Sequence, residues 1–438
     1  MKLLVLLASL TVIAAVRRND DLYGPRYRPL WDEGVKTKYT KFFGLSSSKH
    51  LIENAGFIYE NYTITSEDGY RLHLSRIVHP DHAAKKDKGF PLLLLNGFLM
   101  HSDSWMVQTE MDSNMAFVWA ALGYDVWLGD HRGTVRSRSH INMTSESTNR
   151  KYWDYGMDEI GTYDVKAFID LILDHTGYKK LNLMCISMGC SLHTVLVTAR
   201  PEYNDKILGA FYFVPLINNI NRQLDAPAAL QIALTGLELA AVSYEEQGLY
   251  ETFPRLVGLK KEFFYSCQPF VYLLVSVLNW ALGGASHLPK SPAFCYQAGL
   301  SVGGGSTKTV KQVVQVYKTG TLAKYDYGRK KNMEIYGQEA PPLYDVSKVK
   351  SFVAMYYSDA DGFSTVEGAK RSLQTLGGTT YECMIPRFSH FDIGAGTLFK
   401  HVLPDVNAVL NSLTGYSDDR EKHKSGECPS MEWIRSLN

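Results

Sequence analysis

The sequence has little of what would place it in several common protein classes. Only six of its 438 residues are cysteine, without a C-x-x-C pair or zinc spacing, so neither a disulfide scaffold nor a zinc module is indicated. No apolar run reaches the roughly 20 residues that span a bilayer. Basic residues (46) balance acidic ones (45), and no basic run is interleaved with aromatic residues, which argues against nucleic acid as a partner. Hydrophobic residues make up 45% of the chain, which is enough for a folded core.

The N-terminus has the pattern of a secretory signal peptide. One basic residue precedes 14 mostly apolar residues at 3–16, and Arg17 and Arg18 follow small residues near a cleavage point. The apolar stretch is too short for a membrane anchor, so we expect residues 1–18 to be removed. Export agrees with glycosylation sequons at Asn61 and Asn142.

Export also affects the cysteines, which are Cys185, Cys190, Cys267, Cys295, Cys383 and Cys428. An oxidising compartment allows disulfides, and Cys267 with Cys295 could pair within one helical region. Buried free thiols are the alternative interpretation.

From about residue 57, short apolar runs alternate with helical patterns, which predicts an α/β fold with a mostly parallel sheet. The clearest predicted strands are residues 91–95, 124–128, 181–186, 206–214, 351–357 and 380–385. Predicted helices cover residues 158–174 and 188–200. Between 218 and 339 we find helical patterning without strand candidates. The sequence therefore predicts a core of residues 19–217 and 340–415, an inserted helical cap at 218–339 and a charged tail at 416–438.

A serine lies between a predicted strand and the helix that follows it at once. Residues 185–190 read Cys-Ile-Ser-Met-Gly-Cys, and a strand, sharp turn and helix are the setting of a nucleophile elbow, although its usual motif is G-x-S-x-G. Because a hydroxyl is a poor nucleophile at neutral pH, Ser187 would need a base and an orienting carboxylate. The alternative is an ordinary loop whose serine caps the helix.

Suitable partners follow the cap in the expected chain order. Asp361 comes after the predicted strand that ends at residue 357, and His390 comes after the strand that ends at 385. Asp359 competes with Asp361 for the role of the acid. Backbone N–H groups of Phe98 and Met188 occupy the positions expected of oxyanion donors, after the third strand and after the nucleophile. Serine chemistry needs neither metal nor cofactor, and the glycine-rich residues 303–308 lack the order of a phosphate loop.

With these residues in view, the chain resembles the acid lipase family of α/β-hydrolases, which includes gastric and lysosomal acid lipases. The resemblance extends over residues 50–413. Its most specific segments are residues 65–70, 123–133, 158–164, 342–345 and 390–392. The family's nucleophile, acid and base match Ser187, Asp361 and His390, and its oxyanion amides match Phe98 and Met188.

The sequence also departs from the family pattern. The family usually has His-Gly-Leu where this chain has Asn-Gly-Phe at 96–98, and G-H-S-Q-G-G where it has C-I-S-M-G-C at 185–190. In the acid loop, residues 358–362 read S-D-A-D-G, whereas the family favours a glycine there and Trp or Leu after the acid.

The resemblance implies a serine hydrolase that cleaves triacylglycerol or sterol ester at an oil or membrane interface through an acyl-enzyme. Apolar residues 228–242 and 263–282 are candidates for an acyl groove, with plain core packing as the alternative. Two rival functions remain. One is a catalytically weak lipid-binding relative that lost activity through its altered elbow, and the other is a hydrolase of small soluble esters.

Overall fold

The computed structural model describes residues 47–85, 88–108, 111–218, 228–252, 277, 283–284, 303–392 and 402–415. The predicted signal peptide, the charged tail, the pair Cys267 and Cys295, and most of residues 263–282 lie outside these ranges.

One large sheet forms the centre of the described structure, and its strands follow the order β1-β2-β4-β3-β6-β7-β10-β11. From β4 to β11 every neighbouring pair is parallel, whereas β1, β2 and β4 pair antiparallel. The short β5 pairs with β2, and β8 pairs with β9 in a separate two-stranded sheet. The strands are β1 (Ile58–Thr65), β2 (Tyr70–Val78), β3 (Pro91–Leu95), β4 (Asp125–Asp130), β5 (Ser139–His140), β6 (Leu181–Ile186), β7 (Ile207–Phe213), β8 (Glu251–Thr252), β9 (Gly305–Ser306), β10 (Phe352–Ser358) and β11 (Thr380–Ile385).

The central strands form where the sequence is continuously apolar. Every residue of β3, β4 and β6 is buried, because helices or loops cover both faces of the sheet there. The edge strand β1 shows no buried residue and alternates between exposed and half-buried positions. Two hydrophobic clusters, one on each face of the sheet, make up most of the core. The predicted fold class, a mostly parallel α/β sheet, is confirmed.

The described helices connect the strands and cover the sheet. They are α1 (Ser48–Asn54), α2 (Met115–Ala121), α3 (Arg150–Trp153), α4 (Met157–Glu159), α5 (Lys166–Thr176), α6 (Met188–Ala199), α7 (Ala228–Glu246), α8 (Thr307–Thr319), α9 (Arg329–Tyr336), α10 (Val366–Thr375) and α11 (Leu403–Thr414). None of these described helices is both long and apolar enough to cross a membrane.

The helix predicted at 158–174 is interrupted by one π-helical stretch, Ile160–Val165, between α4 and α5. This stretch packs against α6 at Gly161, where a Cβ atom would lie only 2.8 Å from the carbonyl oxygen of Leu192. A glycine is needed there because any side chain would push the helix that follows the elbow out of place. The spacing of apolar residues predicts such a helix, but it does not distinguish a π-helical turn from an α-helical one.

The interval 218–339 contains α7, α8 and α9, and it also contains the strands β8 and β9, which the sequence did not predict. Strands of two residues are too short to show the period-two alternation on which strand prediction depends. Ion pairs join α7 to α8, with Lys311 Nζ 2.7 Å from Glu245 Oε2 and a second pair between Lys318 and Glu238. The division into core and cap stays a prediction.

Candidate active site

Ser187 occupies the single residue between the end of β6 and the start of α6. Its backbone has φ 53° and ψ −118°, a conformation that non-glycine residues adopt rarely. Three backbone hydrogen bonds hold it: the Ser187 N–H donates to the Phe213 carbonyl at 2.9 Å, and the Ser187 carbonyl accepts from the Cys190 N–H at 3.0 Å and from the Leu216 N–H at 3.4 Å. The turn therefore lifts the serine side chain out of the sheet, as the sequence pattern predicted for an elbow.

The helix that follows Ser187 starts very close to β3. A Cβ atom at Gly189 would lie 2.8 Å from the carbonyl oxygens of both Leu95 and Asn96. Only glycine allows this approach. The close contact brings the start of α6, which carries Met188, against the loop after β3, which carries Phe98.

His390 links Ser187 to a carboxylate. Its Nε2 atom lies 2.9 Å from Ser187 Oγ, and its Nδ1 atom lies 2.9 Å from Asp361 Oδ2. All three side chains are buried. Asp361 Oδ1 also accepts the backbone N–H groups of Phe363 at 2.6 Å and Ser364 at 2.9 Å, so the carboxylate is held from both sides. The structure thus brings together the three residues that the sequence pattern selected.

The competing carboxylate, Asp359, points elsewhere. It is exposed, and its Oδ1 atom accepts the backbone N–H of Arg387 at 2.5 Å. Arg387 has a positive φ of 63°, so this hydrogen bond supports an uncommon turn between β11 and His390. Of the two aspartates, Asp361 is the one in contact with His390.

Neighbouring rings and one distant carbonyl group fix the position of His390. The Phe363 ring centroid lies 4.8 Å from that of the imidazole, and Phe391 packs against the imidazole edge to face at 5.7 Å. The backbone N–H of His390 donates to the carbonyl of Gly283 at 2.9 Å. Gly283 belongs to the interval predicted as a cap, so this interval contributes a structural contact to the site. Nothing in the local sequence signals a contact across more than one hundred residues.

Within the described part of the chain, the amides of the two expected oxyanion donors are without partners. Among the described residues, neither the Phe98 N–H nor the Met188 N–H has a hydrogen-bond acceptor. Met188 is the first residue of α6, where an N–H group has no partner within the helix. Unpaired amides next to the serine are available to a negatively charged oxygen.

A buried charge cluster, which the sequence did not predict, anchors the loop that carries Phe98. Asp130 accepts the Ser102 N–H at 2.7 Å and the Ser102 hydroxyl at 2.9 Å, and Arg136 bridges Asp130 at 3.0 Å to Asp103 at 2.5 Å. Burial alone would raise the pKa of Asp130, but the Arg136 guanidinium and the His73 imidazole, whose Nδ1 lies 3.3 Å from Asp130 Oδ2, hold the pKa well below its usual range. Both aspartates are therefore ionised partners of one guanidinium.

This charge cluster gives a prediction on stability. Arg136→Met should lower the free energy of unfolding by about 3 kcal/mol, because it leaves two buried carboxylates without their cation. Adding Asp130→Asn to that variant should recover part of the loss, since one of the unpaired charges is removed. Urea denaturation of the three proteins measures this; equal stability of wild type and Arg136→Met would contradict the role assigned to the cluster.

The same cluster has a defined pH dependence. The folded-state pKa of Asp130 lies below the unfolded value of about 3.9, so its contribution to stability is fully present above that value and is lost as pH falls through the folded pKa. We therefore expect Asp130→Asn to reduce the stability at pH 5 by at least as much as at pH 7. A cost that shrinks between pH 7 and pH 5 would show that Asp130 titrates in that range.

A mostly parallel sheet with a serine on the turn after β6, and with aspartate and histidine on later strand loops, defines the class of α/β-hydrolases. Two family descriptions match the chain: "alpha/beta hydrolase fold" at residues 91–210 and "Partial alpha/beta-hydrolase lipase region" at residues 48–109. The first match contains β3, β4, β6 and the elbow, and the second contains β1, β2 and β3.

Comparison of this sequence with individual proteins identifies its family within the α/β-hydrolases. The chain is 31% identical over 363 residues to Lipase 1 of Drosophila melanogaster. The alignment covers 82% of this chain and 78% of that protein. It is 26% identical over 355 residues to Lipase member N of Homo sapiens, in an alignment that covers 80% of this chain and 86% of that protein. The chain belongs to the acid-lipase-like family of α/β-hydrolases and is an ester hydrolase, which confirms the resemblance seen in the sequence.

Proposed function

We propose that this protein is a serine hydrolase of lipid esters, with Ser187 as nucleophile, His390 as general base and Asp361 as the group that orients the histidine. The observation that carries the proposal is the continuous chain of contacts from Ser187 Oγ through both imidazole nitrogens to a buried carboxylate. Such a chain is what a hydroxyl needs in order to lose its proton as it attacks.

In the proposed first step, Ser187 Oγ attacks the ester carbonyl carbon while its proton passes to His390 Nε2. Asp361 accepts the Nδ1–H and stabilises the imidazolium. The carbonyl π electrons move to the oxygen, where the Phe98 and Met188 N–H groups stabilise the negative charge. His390 then protonates the leaving alcohol, and the acyl group stays on Ser187. Water, deprotonated by His390, releases the fatty acid and restores the serine.

The lipid nature of the substrate is supported by an exposed apolar face on α7. Ile232 and Leu239 are 72% and 63% exposed, and Val242 continues the same face at helical spacing. Exposed apolar residues in a row are uncommon on a monomeric protein and indicate contact with an apolar partner. An oil or membrane surface is a suitable partner for this face, because the named relatives are lipases and so act on lipid.

Changing the apolar face on α7 tests the lipid part of the proposal. The double variant Ile232→Ser, Leu239→Ser should lower activity on emulsified long-chain triacylglycerol about tenfold, since roughly 25 cal/mol per Å² of apolar contact with the surface is lost. Activity on soluble p-nitrophenyl butyrate should not change. Ile335→Ser, on exposed α9, is the matched control. An equal loss on both substrates would contradict the interfacial role.

Turnover of the soluble ester itself separates the proposed enzyme from the weak lipid-binding alternative. A binding protein would retain vesicles or emulsion without releasing p-nitrophenol. A hydrolase of small soluble esters would instead show no gain in rate when butyrate substrate exceeds its solubility and forms droplets. The proposed lipase should gain rate there.

We further propose that the protein acts in a secretory or lysosomal compartment. Disulfides at Cys185–Cys190 and at Cys383 require oxidising conditions, which the cytosol does not provide. The two predicted glycosylation sites, Asn61 and Asn142, are both exposed and so accessible to glycan addition. Removal of N-glycans should shift the electrophoretic mobility of the exported protein, and Asn61→Gln with Asn142→Gln should abolish that shift.

A further inference from the structure

The elbow contains two cysteines that are joined to each other. Cys185 precedes Ser187 by two residues, Cys190 follows it by three, and a disulfide joins them with their Cα atoms 5.0 Å apart. Both residues are fully buried. Their Cα separation lies within the range of about 4.4 to 6.8 Å in which disulfides form without backbone movement.

The two ends of this disulfide are tied to different elements. Cys185 is the penultimate residue of β6 and pairs with Leu95 on one side and Tyr212 on the other, so neighbouring strands fix its backbone. Cys190 lies in the first turn of α6, where its N–H bonds the Ser187 carbonyl. The cross-link therefore bridges strand and helix across the turn that carries the nucleophile.

We propose that the Cys185–Cys190 disulfide is a positioning element for Ser187, which holds its hydroxyl in line with His390 Nε2. This inference rests on the proposed function of Ser187. The uncommon backbone of Ser187 persists only if its surroundings determine it. A closed ring of six residues that contains the serine does so more directly than hydrogen bonds alone.

The short span of the cross-link separates positioning from general stabilisation. A disulfide stabilises a fold more when it closes a long loop, and this one closes a very short loop. Its loss should therefore change the melting temperature little. A displacement of the nucleophile by about 1 Å, in contrast, can lower the rate by about 10²-fold.

A double-mutant cycle on the acylation rate tests the proposal. Cys185→Ala, Cys190→Ala and the double variant should each react with a fluorophosphonate 10- to 100-fold more slowly than wild type. The factor should be the same for all three, because any one change removes the bond. The kcat for p-nitrophenyl butyrate should fall with them, while KM stays within about twofold.

Val195→Ala is the control for lost packing. Val195 is buried in the same helix and makes no part of the cross-link, so this variant should lower the melting temperature and leave acylation within about twofold. Peptide mapping of wild type under non-reducing conditions should recover Cys185 and Cys190 joined by a disulfide. Free thiols there, acylation by the double variant at the wild-type rate, or single effects that multiply in the double variant would each overturn the proposal. A wild type that is not labelled at Ser187 would instead refute the proposed function.

Discussion

Ser187→Ala should lower kcat for p-nitrophenyl butyrate by about 10⁴-fold or more, because the remaining oxyanion donors cannot replace a nucleophile. Labelling by a fluorophosphonate should disappear at the same time. The variant keeps the hydrogen bonds of the residue 187 backbone, so its melting temperature should lie within a few degrees of that of wild type.

Turnover and fluorophosphonate labelling of Ser187→Ala and wild type together distinguish the proposed nucleophile from its alternatives. Loss of both turnover and label in a folded variant identifies the nucleophile. Persisting label at another serine would move the reaction away from the elbow. Wild-type protein that binds lipid but neither turns over ester nor takes up label would support the lipid-binding alternative, with the changed residues 185–190 as its cause.

Much of the fold could be predicted because the central strands are buried on both faces. Such strands appear as continuous apolar runs, and the strands at 91–95 and 181–186 lie within the predicted limits. The positions of Ser187, Asp361 and His390 followed from chain order, because parallel strands present their following loops at one edge of the sheet. Their close approach in the structure agrees with that reasoning.

Other parts of the site depend on contacts that no local pattern encodes. The Cys185–Cys190 disulfide has no sequence signature at a separation of five, and the Gly283 carbonyl reaches His390 from a distant segment. In the buried cluster of Asp103, Asp130 and Arg136, only Asp130 had a signal, since it ends the apolar strand β4. Tertiary packing decides which of such charges are buried, so sequence alone would not have separated them from solvated ones.

The acid of the triad provides the second large expected effect. Asp361→Asn should lower kcat about 10⁴-fold, because an amide cannot stabilise the imidazolium and it favours the tautomer with hydrogen on Nε2. In that tautomer His390 can no longer accept the proton of Ser187. Asp359→Asn should change kcat by no more than about twofold, as for most exposed substitutions.

The two variants form a matched pair, since each replaces one carboxylate by an amide in the same loop. Asn at 359 retains an oxygen that can accept the Arg387 N–H, so the turn before His390 is preserved. Asn at 361 likewise retains an acceptor for the Phe363 and Ser364 N–H groups. The Asp361→Asn variant should therefore fold, and the only property that it loses should be catalytic activity. If Asp359→Asn has the greater effect on kcat, the exposed aspartate must replace Asp361 beside His390 during catalysis, and the loop between β10 and α10 must rearrange before substrate reacts.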